Sequence, residues 1–118
     1  MKQEDKELLL KDLCARLPYG VKVLVDNKHW IDFDGRTPSK LTFDNSYRLL
    51  YVGTDLGYVK PYLFPISSMT EEQKEEWRGI RWSKLPWDEL NWLNKGHWDY
   101  RGLIEKGLAI DATGLNIY

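Results

Sequence analysis

Cysteine and histidine are scarce in this sequence: 118 residues contain one cysteine, Cys14, and two histidines, His29 and His97. A single cysteine cannot close an intramolecular disulfide, so a stapled secreted scaffold is excluded and a reducing compartment is expected. No Cys-x-x-Cys or His-x-x-x-His pair occurs, so a structural zinc site has no ligand set. Long apolar runs are also missing. Leu8-Leu9-Leu10, which follows the charged run Lys2–Glu7, is too short for the apolar region of a signal peptide. No stretch approaches the ~20 apolar residues that span a bilayer. A cytoplasmic protein with no membrane association is therefore expected. Seventeen basic against eighteen acidic residues leave a formal charge of -1, which provides no global field toward nucleic acid, anionic lipid or acidic substrates. Gly53 and Gly57 lack the Gly-Lys-Ser/Thr ending of a phosphate loop, and no Gly-x-Gly-x-x-Gly string occurs, so no nucleotide or other cofactor is expected.

The remaining composition is that of an ordinary globular domain, 42% hydrophobic and 30% charged, without repeats or a low-complexity linker. Residues 1–118 read as one domain. Over residues 4–17, Leu10, Leu13, Cys14 and Leu17 follow an i, i+3, i+4, i+7 pattern that Leu9 widens, which predicts an amphipathic helix stopped by Pro18 with Cys14 on its buried stripe. From Gly20 to Phe64, short runs rich in β-branched and aromatic residues alternate with turn residues. They predict strands near 21–25, 29–33, 40–43, 47–53 and 57–63. Short connections favour antiparallel neighbours, so the expectation is a meander of about five strands curled toward an SH3-like barrel. Pro61 and Pro65 place the last of these strands at an edge or at an exit from the sheet.

Thr70 and Gln73 have capping-box spacing and predict a helix from 71 to about 78. Pro86 suits a first helical position, with Gly96 as the stop, and a last helix is predicted from a cap at Asp99 to Lys106, ended by Gly107. The tail from Leu108 to Tyr118 is apolar enough to pack or to add a strand. The fold class is thus α+β: an N-terminal helix, a sheet and short C-terminal helices.

Three strings, Leu8–Val21, Val59–Pro65 with Ser67–Glu72, and Trp92–Asn94 with Asp99–Leu108, resemble a group of small proteins from gut bacteria and their phages or mobile elements. The resemblance covers both ends and the centre of the chain and is weakest from 22 to 58. It implies an intracellular bacterial or phage origin and transfers no activity or catalytic residue.

Six tryptophans are many for so short a chain, and five of them recur at 77, 82, 87, 92 and 98. A step of five residues turns about 140° around a helix, so they cannot form one stripe. Two readings stand: anchors that dock the C-terminal helices on the sheet, or an aromatic surface for a peptide, nucleobase or sugar. Lys74, Arg78 and Arg81 recur at helical spacing with Lys84 behind them and Trp77 and Trp82 interleaved, a pattern that could hold phosphates and stack bases. Glu71, Glu72, Glu75 and Glu76 occupy the same stretch and would oppose a polyanion. Asp32 and Asp34 fall on one side of a predicted strand, with Asp44 across a hairpin, a set to consider for a hard cation. The EF-hand pattern fails there, because Gly35 stands at loop position four and Phe43 at position twelve. A Cys14, His97 and Asp99 set can be drawn as nucleophile, base and orienter, but nothing in the sequence brings the three together.

With no self-consistent catalytic set, the sequence favours a binding or protein-interaction module over an enzyme. Its expected surface draws on Trp77, Arg78, Arg81, Trp82, Trp87, Trp92 and Trp98, and its expected partner is another protein or a second copy. A nucleic-acid-associated regulator and a metal-dependent enzyme are the alternatives.

Overall fold

The computed structural model describes residues 2–25, 37–42, 44–46, 49–50, 59–82 and 86–118. Helix α1 spans Gln3–Arg16, and its buried positions are Leu9, Asp12, Leu13 and Arg16. That set has the predicted periodicity on a different face. Cys14 is exposed, about 150° around the helix from the centre of the buried face, which corrects its expected place in the core. The reason is an ion pair: Arg16 Nε donates to Asp12 Oδ2 at 2.8 Å with both side chains fully buried, so two charged residues take positions that a hydrophobic pattern assigns elsewhere. The helix gives way to a 3-10 turn at Leu17–Tyr19 containing Pro18, and Gly20 closes it at φ 75°, in the left-handed region that favours glycine.

Strand β1, Lys22–Val25, alternates half-buried and buried residues and places Val23 and Val25 in the core. It pairs antiparallel with β2, Ser39–Lys40, and with β3, Val59–Pro65, with Val23 opposite both Ser39 and Pro61. After β3 come α2, Glu71–Trp82, and α3, Pro86–Lys95. The chain then returns to β3 twice: β4, Trp98–Asp99, pairs parallel at Phe64, and β5, Ile110–Asp111, pairs parallel at Tyr62. The sheet is therefore mixed and open, ordered β2-β1-β3-β4 with β5 also on β3. The antiparallel expectation holds for β1, β2 and β3, but β1 lies between the other two, so they do not form a meander, and the parallel pairs and the open sheet depart further from an antiparallel SH3-like barrel. A two-helix crossover supplies the length that a parallel return needs. The proline-bearing strand is central, not at an edge. The observed bonds across its far half use the Phe64 N–H, donated to His97 O at 2.8 Å, and the Leu63 carbonyl, which accepts from the Ala112 N–H at 2.8 Å. The missing N–H of Pro65 falls at the last residue of the strand.

The stretch predicted as a strand over 47–53 is corrected where it is described. Leu49 and Leu50 have helical backbone, and the Leu49 N–H bonds the Asn45 carbonyl at 3.0 Å. Thr42 and Asn45 start this turn reciprocally: Asn45 Oδ1 accepts the Thr42 N–H at 2.8 Å and Thr42 Oγ1 accepts the Asn45 N–H at 3.4 Å. The strand predicted at 29–33 lies outside the described residues.

Two apolar clusters result. The larger joins α1, β1 and β3 through residues such as Leu9, Leu13, Val23 and Leu63, with Leu49 and Leu103 also fully buried. The smaller centres on Met69, Leu93 and Trp98 under α2 and α3. Residues 103–107, predicted as a helix, form successive turns. Asp99 nonetheless caps them, accepting from the Leu103 and Ile104 N–H groups at 2.9 and 3.0 Å, and Gly107 takes the left-handed conformation at φ 74°. The expected tail strand is β5. Among the described residues, no helix is long and apolar enough to cross a membrane.

Candidate binding site

The capping box forms as its spacing predicts: Gln73 Oε1 accepts the Thr70 N–H at 2.8 Å, and Thr70 Oγ1 accepts the Gln73 N–H at 3.2 Å. Glu71 and Glu72 in the first turn complement the helix dipole, and α2 continues a turn further than expected, to Trp82. Helix α3 begins at Pro86 as expected. The two helices are clasped by acid-to-indole bonds. Trp77 Nε1 donates to Glu89 Oε1 at 3.1 Å and Trp92 Nε1 donates to Glu76 Oε1 at 2.9 Å. Glu89 Oε1 also lies 3.6 Å from Arg81 Nε, and the Arg81 guanidinium sits 5.2 Å from the Trp77 ring centroid.

These contacts divide the seven predicted site residues into two groups. Trp77 and Trp92 are half-buried between the helices and Trp98 is 6% exposed in the smaller core, so these three anchor the helical layer. Trp82, at the end of α2, is 81% exposed, and Trp87, near the start of α3, is 62% exposed. Arg78 and Arg81 line a hollow of about 310 Å³ with Trp82. The anchoring reading therefore applies to Trp77, Trp92 and Trp98, while Trp82 and Trp87 are left on the surface. A single surface through all five does not form.

The basic stripe is partly spent on its own helices. Lys74 is 3.4 Å from Glu71 and Arg81 faces Glu89, while Glu72 and Glu75 are exposed on the same helix. Among the described residues no cluster of three or more histidine, cysteine or acidic side chains could hold a metal. Asp44 is exposed, and Asp32, Asp34, His29 and Lys84 lie outside the described residues. Of the drawn Cys14, His97 and Asp99 set, Cys14 is exposed and both Asp99 carboxylate oxygens accept backbone N–H groups.

Sequence reasoning missed two polar clusters. In the first, Asp12 receives a second guanidinium, with Arg101 Nη1 at 2.7 Å from Oδ1. Arg16 Nη2 donates to the Trp98 carbonyl at 2.6 Å, and the Arg16 and Arg101 guanidinium carbons stand 5.2 and 4.5 Å from the Tyr100 ring centroid. Arg16 Nη1 is buried without a partner. The i, i+4 spacing of Asp12 and Arg16 was the available signal. In the second, Tyr118 stacks on His97 with ring centroids 3.6 Å apart. Its hydroxyl accepts the Lys22 N–H at 2.8 Å and donates to the Tyr62 carbonyl at 2.7 Å. Although the residue as a whole is 41% exposed, its hydroxyl end is enclosed between the strands, and that burial pushes its pKa up to about 12. His97 follows α3 at φ 61°. Burial, with Arg16 and Lys22 nearby, lowers its pKa to about 4 and keeps it neutral.

No protein-family model matches the chain, and neither a curated protein nor a solved structure is similar to it.

Proposed function

We propose that this chain is a non-catalytic binding module whose α2–α3 tip, carrying Trp82 and Trp87 beside Arg78 and Arg81, docks a protein partner or a second copy of itself. The exposure of Trp82 and Trp87 carries this reading: two large indoles stand in solvent at neighbouring helix ends while the other described tryptophans are packed. Tryptophan and arginine dominate the energetically important positions of protein interfaces, and exposed indole surface is costly to leave without purpose. Leu90, 45% exposed on α3, adds apolar area to the same helix pair. The nucleic-acid alternative is disfavoured by the ion pairs that occupy Lys74 and Arg81 and by the exposed glutamates of α2.

Two measurements test the proposal. Sedimentation velocity over a concentration series compares the parent with Trp82→Ala/Trp87→Ala. Capture from a lysate of gut bacteria carrying phages, the origin that the resemblance suggests, uses the same pair with and without nuclease. The expected result is self-association or a defined partner that withstands nuclease and high salt and is lost in the double variant. An interaction unaffected by the double replacement refutes the tip as the docking site. Loss with nuclease or modest salt favours the nucleic-acid reading instead.

A further inference from the structure

A second concavity lies on a different part of the helical layer and includes neither Trp82 nor Trp87. It is a cleft of about 540 Å³, within the range of about 300–1,000 Å³ usual for small-molecule sites. Its apolar wall is built from Phe64, Trp92 and Trp98. The two indoles stack nearly parallel, with centroids 6.2 Å apart and planes 15° apart, and Phe64 tilts against Trp98 at 5.7 Å. Gln73 and Glu76 reach it from α2 and Lys95 from α3.

The hydrogen-bonding capacity left on these groups defines the ligand. Gln73 uses Oε1 on the Thr70 N–H, which leaves its amide N–H groups to donate. Glu76 uses Oε1 on Trp92, which leaves Oε2 to accept. Trp98 is 94% buried as a residue, but its indole N–H keeps contact with solvent and makes no hydrogen bond among the described residues, so it is free to donate at the cleft wall. Gly96, also in the cleft wall, keeps that edge open: a Cβ there would lie 2.5 Å from Trp98 Nε1.

Among the described residues one carboxylate and one ammonium balance in this wall and no guanidinium lines it, so phosphorylated or multiply acidic ligands gain nothing from its charge. The flat indole and phenyl surfaces favour a ring with an apolar C–H face. The surrounding groups ask for several oxygens that both donate and accept. The geometry points to a binding site for a neutral saccharide: its ring packs on the Trp92–Trp98 wall, one hydroxyl oxygen accepts from Trp98 Nε1–H, and other hydroxyls meet Gln73, Glu76 and Lys95. This site does not rest on the tip reading, and either can fail alone.

The test follows the indole N–H resonances of the ¹⁵N-labelled protein during titration with maltose, cellobiose and chitobiose, up to about 10 mM so that millimolar affinity is detected. Adenosine and glucose 6-phosphate serve as comparison ligands. The expected result is a saturable shift of the Trp98 and Trp92 indoles by at least one neutral sugar, with Trp82 and Trp87 unmoved. Glu76→Gln, which keeps an acceptor for Trp92, and Lys95→Ala are both exposed replacements. Each is expected to weaken binding roughly tenfold, the loss of one charge-assisted hydrogen bond, without changing Tm. The inference is overturned if no neutral sugar gives a saturable Trp98 shift, if the comparison ligands bind more tightly than every sugar, or if both variants bind as the parent does.

Discussion

Removing the carboxylate of Asp12 isolates the largest concentration of buried charge among the described residues. In the parent, Oδ2 meets Arg16 Nε at 2.8 Å and Oδ1 meets Arg101 Nη1 at 2.7 Å, and Asp12 and Arg16 are fully buried. In Asp12→Ala, Arg16 keeps one bond, from Nη2 to the Trp98 carbonyl, and loses its counter-charge. Breaking a buried pair from one side costs about 3–5 kcal/mol. A domain of this size has about 5–15 kcal/mol in all, so the variant forfeits about a fifth or more of its stability. At roughly 4 °C per kcal/mol, Tm should fall by about 10–20 °C. Urea denaturation followed by tryptophan fluorescence and circular dichroism measures the difference directly. Asp12→Leu/Arg16→Met removes both charges and should recover much of the loss, because well-packed apolar replacements of buried pairs are near neutral. An Asp12→Ala variant within about 1 kcal/mol of the parent would place the pair in the range of a surface salt bridge and refute the reasoning. A double variant no more stable than the single one would refute the charge-compensation part of it.

Gly96→Ala should cost about 1–3 kcal/mol, because its Cβ would meet Trp98 Nε1 at 2.5 Å and Cδ1 at 2.7 Å; a near-ultraviolet dichroism spectrum and denaturation midpoint matching the parent would show that the helix end yields instead. Tyr118→Phe deletes the hydroxyl shared by Lys22 and Tyr62, and a loss of about 1 kcal/mol in urea denaturation is expected, the net worth of an ordinary hydrogen bond. With His97 lowered from 6.5 to about 4, the unfolded chain binds the extra proton first, so the His97 contribution to stability is present above pH 6.5 and declines as pH falls toward 4. His97→Asn, a residue that tolerates φ 61°, should therefore show a shallower stability loss than the parent between pH 6.5 and 4; equal slopes would refute the assignment. Trp82→Ala/Trp87→Ala should leave the denaturation midpoint nearly unchanged, within about 0.5 kcal/mol, since neither ring is packed.

Helix ends were the most legible part of the fold. The Thr70–Gln73 box, Pro86 and the Asp99 cap act through contacts within five residues, which sequence spacing encodes directly. The periodicity of α1 was legible too, but its orientation was not, because hydrophobicity cannot anticipate that Asp12 and Arg16 would turn inward as a pair. Leu49 and Leu50 sit among residues of high strand propensity and yet follow a Thr42–Asn45 helix start, a local bond pattern overriding a weak preference. Strands β4 and β5 are two residues each and exist because β3 lies beside them; the apolar tail from Leu108 hinted at β5, while no local pattern announces β4. At the candidate sites, the crowding of tryptophans was visible in sequence, while the division into packed and exposed rings depended on which indoles found Glu76 and Glu89 across the helix pair.

The placement of Tyr118 has a consequence for the order of folding. The β1–β3 register pairs Val23 with Pro61, and the next pair outward, Lys22 with Tyr62, is bridged through the Tyr118 hydroxyl across 96 and 56 positions of chain. A chain made at about 5–20 residues per second needs roughly 3–11 s to travel from Tyr62 to Tyr118. During that interval β1 and β3 can meet, but the Phe64 N–H and Leu63 carbonyl have not yet received His97 and Ala112. The nascent sheet therefore passes through a stage with an apolar strand edge open to other chains, and arrival of residues 97–118 closes that route.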